Sequence, residues 1–171
     1  MTAQEDLDHA RLLRTKVVRY HEAGHAVIGE LLGVPLRWTA IIDQGPGQRV
    51  LGRTERMRGA FEAASLETRI KTKLAGGLAE KILLGSRSPG GALHDDESIA
   101  ELLKELEPDE KGREAVRSRL EADVRVLLEE PKNRALVEAA AEHLGLWSEL
   151  TGVGLREIMK TKESGLASSG N

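Results

Sequence analysis

The amino-acid sequence predicts a mainly α-helical protein with one small β-hairpin or sheet. Helix-favouring residues (Ala, Leu, Glu, Lys and Arg) dominate the chain, whereas aromatic residues make up only 2% of it. Residues 37–42 have the composition of a strand, and a Gly- and Pro-containing turn follows them. The 171 residues correspond to about one domain, whose core is expected to consist of Leu, Ile, Val and Ala.

Start and stop signals divide the chain into elements. Gly33 and Pro35 end the first helix near Leu32, while Ser65 caps a second helix that Gly85 ends. The first predicted elements are, in order, a helix to residue 32, a strand at 37–42, a turn at 43–47, a strand at 50–54, a helix at 65–84 and a loop at 86–93. Four further helices follow: one at 94–106, one that ends at residue 130, one at 132–144 and one at 154–162.

The predicted domain organisation is simple. Neither an internal repeat nor a long linker divides the sequence. We expect an N-terminal extension at residues 1–14, a single domain at 15–162, and a disordered tail at 163–171, because the residues of that tail are mostly small and polar.

Composition excludes several classes of function. The chain has 25 basic and 28 acidic residues, a net charge of -3, and no basic run, so nucleic-acid binding is not expected. Without cysteine, any metal must be held by His, Asp or Glu. No apolar stretch is long enough for a membrane span, and the polar N-terminus is unlike a secretory signal. These features predict a soluble, cytoplasmic protein.

One motif carries a recognisable chemistry. His21-Glu22-Ala23-Gly24-His25 is an H-E-x-x-H sequence within the first predicted helix. Residues four apart lie on one helical face, so both imidazoles can bind one zinc ion. Glu22 can then act as a general base towards a water molecule whose pKa the zinc lowers to about 7. The motif therefore predicts a hydrolytic zinc site.

A hydrolytic zinc site needs a third protein ligand, with the fourth position left to water or substrate. The candidates in this sequence are His94, Asp95, Asp96, His9 and His143. Residues 94–96 are the obvious cluster, since they begin a helix after a Gly-rich loop. The same acidic residues would also stabilise the N-terminal end of a helix, so the residues alone leave both interpretations open.

The residues around the motif resemble a known family. Residues 19–29 resemble the zinc-site helix of FtsH-type peptidases, the proteolytic half of membrane-bound AAA proteases. Four further segments resemble the same family in the same order, namely residues 39–42 with 51–54, residues 74–85, residues 91–95 and residues 144–158. The resemblance covers roughly residues 15 to 160. It implies a zincin-like helical metallopeptidase fold with a bound Zn²⁺.

The resemblance also assigns roles to residues. His21, His25 and Asp95 would be the zinc ligands and Glu22 the general base, with Asp96 as the alternative third ligand if the loop shifts by one residue. Four residues are expected to surround the ligands: Gly76, Gly77, Glu80 and His94. One strand would form an edge that pairs with an extended peptide substrate, through Trp38, Thr39, Ala40, Ile41 and Ile42.

The function implied is zinc-dependent endopeptidase activity on unfolded or loosely folded chains. The sequence has no G-x-x-x-x-G-K-[ST] motif, so we expect a stand-alone relative without its own ATPase. A separate ATPase or adaptor is a possible partner, and a homo-oligomer is possible. The chain departs from the family pattern at Leu78, Lys81, Leu93 and His94. The alternative is therefore a weakly active or inactive zinc-binding relative that serves as a protein-interaction module.

Overall fold

The computed structural model describes residues 3–45, 48–85 and 93–168, and these residues are mainly helical. Their elements are α1 (Ala3–Leu31), β1 (Leu36–Asp43), β2 (Val50–Arg56), α2 (Ala60–Ala63), α3 (Leu66–Leu84), α4 (Leu93–Leu106), α5 (Glu110–Glu129), α6 (Pro131–Trp147), β3 (Glu149–Thr151) and α7 (Gly152–Ser168). The predicted class of a mainly α-helical protein with a small sheet is confirmed. None of the described helices is both long and apolar enough to cross a bilayer.

The helix ends follow from the local sequence signals. The Ser65 hydroxyl oxygen accepts a hydrogen bond from the Thr68 N–H at 3.2 Å and so caps α3. Gly85 ends the same helix with a φ of 71°, a left-handed conformation that favours glycine. Pro131 is the first residue of α6, where its missing N–H costs no helical hydrogen bond. Ser65 and Gly85 of α3 thereby confirm the boundaries predicted for the second helix of the sequence, residues 65–84.

The three strands form one antiparallel sheet in the order β2-β1-β3. On one side β1 pairs with β2, so that Thr39 lies opposite Thr54. On the other side it pairs with β3, so that Thr39 also lies opposite Leu150. The expectation that residues 38–42 belong to an edge strand is therefore wrong. The reason is β3, whose three residues are too few to give a strand pattern in the sequence.

Other differences concern short elements and the ends of the chain. The sequence did not predict the four-residue α2 or β3. The structure continues α7 to Ser168, where a disordered tail was predicted from Glu163; an ion pair of 2.9 Å joins Glu163 to Lys132 of α6. Residues 3–14 are continuous with α1.

Some predicted features lie outside the described part of the chain, namely residues 86–92 of the predicted loop, residues 46–47 of the turn and residues 169–171. The domain boundaries stay a prediction.

A close crossing of α1 and α3 fixes the position of the motif helix. Gly24 lies at this crossing, where a Cβ atom would stand 2.6 Å from Ala79 Cβ and 2.7 Å from the Ala75 carbonyl oxygen. Ala75 and Ala79 are fully buried and belong to the hydrophobic core, which is built from Leu, Ile, Val and Ala side chains. Because all three residues are small, the two backbones approach each other closely. The histidine side chains of the motif therefore lie against α3.

The crossing predicts an asymmetry between two Gly→Ala substitutions. Gly24→Ala should lower the free energy of unfolding by about 1–3 kcal/mol, because the new methyl group overlaps backbone atoms that cannot move aside. The matched control is Gly154→Ala in α7, where the nearest atom to a Cβ would be the flexible Leu150 Cδ1 at 3.2 Å. This control should be neutral or stabilising by up to about 1 kcal/mol. Urea unfolding curves measure both, and equal effects would contradict the crossing.

Candidate metal centre

Three potential metal-ligating atoms meet between α1, α3 and α4. His21 and His25 lie on successive turns of α1, and their Nε2 atoms are 2.9 Å apart. The Oδ2 atom of Asp95, in the first turn of α4, lies 3.1 Å from His21 Nε2 and 2.9 Å from His25 Nε2. All three side chains are largely buried. Among the described residues they form the His/Asp/Glu group whose ligand atoms lie close enough together to hold one ion.

Outer hydrogen bonds orient the two imidazole rings. His25 Nδ1 lies 2.8 Å from the Thr72 carbonyl oxygen, which can only accept, so this nitrogen donates. His21 Nδ1 lies 2.6 Å from Oε1 of the buried Glu80 and donates to that carboxylate. In the neutral form of each ring, the lone pair is then on Nε2 and directed towards Asp95. This arrangement of α3 partners is typical of metal-ligating histidines.

The converging acceptor atoms call for positive charge between them. Two lone pairs and a carboxylate oxygen within 3.1 Å of one another repel unless a cation or a proton lies there. Burial opposes the protonation of His21, but its hydrogen bonds with Asp95 and Glu80 prevail and raise its pKa to about 10. Burial likewise opposes ionisation of Asp95, but the charge of His25 and the hydrogen bonds with His21 and His25 prevail, so the pKa of Asp95 falls below its usual range.

Gly76 leaves room for an ion beside the two rings. A Cβ atom at this position of α3 would stand 2.5 Å from His25 Nε2 and 2.7 Å from His21 Nε2. Any other residue would therefore fill the space where the ligand atoms converge. Two imidazoles and one carboxylate with an open side are the ligand set of hydrolytic zinc sites, so the residues present fit a bound Zn²⁺.

Glu22 is held by the sheet rather than by α3. Its Oε2 accepts a hydrogen bond of 2.6 Å from the Thr54 hydroxyl, which itself lies 2.7 Å from the Thr39 hydroxyl. Its Oε1 lies against Gly52 of β2, where a Cβ atom would collide with the carboxylate. The carboxylate is therefore buried, held by β1 and β2, and borders the same cavity as the ligands.

β2 is also tied to the motif helix by Arg56. This side chain donates hydrogen bonds to the backbone carbonyls of His25 and, at 3.0 Å, of Val34. Burial lowers the pKa of Arg56 to about 10, against the opposing charges of Glu30 and Glu22, so the guanidinium remains positive near neutral pH. Gly29 provides the space, since a Cβ atom there would collide with the guanidinium.

A cavity of about 600 Å³ opens over the three ligands and Glu22. This volume is within the range of about 300–1,000 Å³ that is usual for ligand sites. The wall of the cavity consists of residues 52–56 of β2, residues 57–59, 61 and 62, Thr72, Lys73 and His94. The strand beside the cavity is therefore β2, whose outer side pairs with no other strand among the described residues.

The structure distinguishes between the candidate third ligands. Asp95 joins the histidines, whereas Asp96 faces α5 and accepts a hydrogen bond of 3.2 Å from Arg117. His94 is exposed at the cavity, and His9 and His143 are not part of the ligand group.

Some of the remaining predicted residues lie near the ligands or Glu22, and others do not. Gly76 and Glu80 contact the histidines, and half-buried Gly77 borders a smaller cavity behind Asp95. Among residues 38–42, Thr39 is the one near Glu22, at 3.4 Å. Trp38 instead lies under the Arg53 guanidinium, and Ile42 is exposed.

Sequence reasoning missed several residues of the site, namely Gly52, Thr54, Thr72 and Lys73. A signal for Thr72 was present in α3. Thr72 lies four residues before Gly76 and eight before Glu80, so the three residues share one helical face. No local pattern indicated that this face meets the two histidines.

The geometry predicts different effects for two neighbouring substitutions. Asp95→Asn should weaken Zn²⁺ binding by more than about 100-fold, since it removes a charged ligand atom. Asp96→Asn should leave the affinity nearly unchanged, because that side chain binds Arg117 instead. Competition against a chromophoric chelator measures both. A loss of affinity in the Asp96 variant alone would show that the third ligand is assigned to the wrong residue.

Comparison with known proteins gives one partial match. No family model matches this chain. Over 80 residues the chain is 35% identical to the ATP-dependent zinc metalloprotease FtsH 2 of Sphaerobacter thermophilus. The aligned stretch covers 45% of this chain but only 12% of that protein, so the chain matches a small part of its relative's length. The similarity supports a distant relationship between this chain and the FtsH-type proteases.

Proposed function

We propose that this protein is a zinc-dependent endopeptidase that hydrolyses peptide bonds in unfolded or loosely folded chains. One observation carries the proposal. His21 Nε2, His25 Nε2 and Asp95 Oδ2 lie within 3.1 Å of one another, and Glu22 borders the same open cavity. A purely structural zinc site would need neither the adjacent carboxylate nor the open side. The distant relationship to FtsH-type proteases points to the same chemistry.

The roles of the side chains follow from their positions. A Zn²⁺ ion held by His21, His25 and Asp95 would polarise the carbonyl of the scissile bond and lower the pKa of a water molecule to about 7. Glu22 would take the proton from that water and pass it to the departing amine nitrogen. The hydrogen bond from Thr54 limits the rotation of the Glu22 carboxylate, which borders the cavity.

The preference for unfolded chains is proposed from the shape of the site. The cavity lies beside β2, an outer strand that pairs with only one other strand among the described residues. An extended peptide could add to this edge through its main chain, which gives binding without a strong sequence requirement. In folded proteins most extended segments are already paired within a sheet. In this proposal a separate ATPase or adaptor would have to unfold them, whereas the chain itself needs no ATP for hydrolysis.

The first test removes the proposed base. Glu22→Gln should keep Zn²⁺ bound and lower the rate of casein hydrolysis by about 100-fold or more, because the amide cannot accept the proton. Hydrolysis is followed with fluorescently labelled casein, which is an unfolded substrate, and zinc content is measured on the same samples.

The matched control is Glu101→Gln, which removes one exposed carboxylate from α4. It should hydrolyse casein at the rate of the unaltered protein. A chelator should abolish activity, and added Zn²⁺ should restore it. If the Glu22 variant cleaves casein as fast as the unaltered protein, Glu22 is not the base. If the zinc-loaded protein cleaves no unfolded chain, the endopeptidase proposal is wrong.

A further inference from the structure

Helix α3 supports each of the three proposed ligands with a different group. The Thr72 carbonyl accepts from His25, and the Glu80 carboxylate accepts from His21. The third group is the Lys73 ammonium, whose Nζ lies 3.0 Å from Oδ1 of Asp95. The two histidine partners fix the imidazole tautomers. Lys73 has a different effect, because its partner is a carboxylate with two equivalent oxygens.

The two oxygens of Asp95 have separate surroundings. Oδ2 lies against both imidazole nitrogens, at 2.9 and 3.1 Å, while Oδ1 is turned away towards Lys73. The side chains of Asp95 and Lys73 are only 12% and 28% exposed, so water screens their attraction weakly. The nearby Arg117 is engaged by Asp96 and Glu121. Among the described residues, Lys73 is therefore the cation that holds Oδ1.

We infer that Lys73 is a positioning residue that restricts Asp95 to a single metal-ligating oxygen, Oδ2. The inference rests on the proposed metal site but not on the identity of the substrate. A carboxylate can bind a metal ion through one oxygen or through both. With Oδ1 held by the ammonium, Asp95 takes one coordination position instead of two. The position left open is the one that a hydrolytic site needs for water or substrate.

The charge of Lys73 is essential to this role. A neutral side chain of similar length could fill the same space but could not compete with a metal ion for Oδ1. Without the ammonium, the carboxylate is free to rotate and bind through both oxygens. Lys73→Met should therefore raise the coordination number of the metal without weakening its binding. Lys73→Arg keeps a cationic donor and should preserve the single-oxygen arrangement.

The experiment uses Co²⁺ as the probe, because its visible absorption weakens as its coordination number rises. The Co²⁺ forms of the unaltered protein, Lys73→Met and Lys73→Arg are compared, together with their Zn²⁺ affinities. The matched control is Lys71→Met, which removes a neighbouring lysine of α3 that pairs with Asp123 at 2.7 Å. Lys73→Gln serves as a second neutral variant in case the methionine variant does not fold.

The expected result is specific to the neutral variants at position 73. They should show weaker Co²⁺ absorption than the unaltered protein and bind Zn²⁺ at least as tightly. Casein hydrolysis should fall by about 10-fold or more. Lys73→Arg and Lys71→Met should keep the original spectrum.

Two outcomes would overturn the inference. An unchanged Co²⁺ spectrum in a folded neutral variant would show that Lys73 does not restrict Asp95, even if the proposed function holds. Absence of Co²⁺ and Zn²⁺ binding in the unaltered protein would instead remove the metal site itself, and the proposed function with it.

Discussion

The close approach of α1 and α3 is the constraint on which the candidate site depends. Gly24 allows the two backbones to meet at Ala75 and Ala79, and Gly76 lies on α3 beside the imidazoles of α1. A larger residue at the crossing would separate the helices, and the α3 partners of the histidines would move out of hydrogen-bonding range. Packing therefore determines the electrostatics: small residues bring α1 close enough for α3 to orient both rings.

The distribution of charge is consistent with a divalent ion. Three carboxylates lie close together in largely buried positions, namely those of Glu22, Glu80 and Asp95. Such a concentration of negative charge away from water is costly unless cations compensate for it. Lys73 provides one positive charge beside Asp95 and Arg56 another near Glu22, and a divalent ion would add two more at the ligand atoms. In its absence, protonation of His21 supplies part of the compensation, in agreement with the raised pKa of that side chain.

The sequence predicted those features that depend on local spacing. The pairing of His21 and His25 on one helical face follows from their separation by four residues, and the ends of α3 follow from Ser65 and Gly85. Features that depend on tertiary contacts were less accessible. The choice between Asp95 and Asp96 depends on the phase of α4 relative to α1, which the local pattern leaves open. The central position of β1 depends on β3, which is three residues long.

In the proposed function, the attachment of Glu22 to β2 would link peptide docking and proton transfer within one strand. Thr54 and Gly52 contact the Glu22 carboxylate, and the edge of the same strand that no described strand occupies is the place where a peptide could add. The register of a bound peptide and the position of Glu22 would then both be set by β2. Cleavage would occur at a constant offset from the docked backbone, whatever the side chains of the peptide.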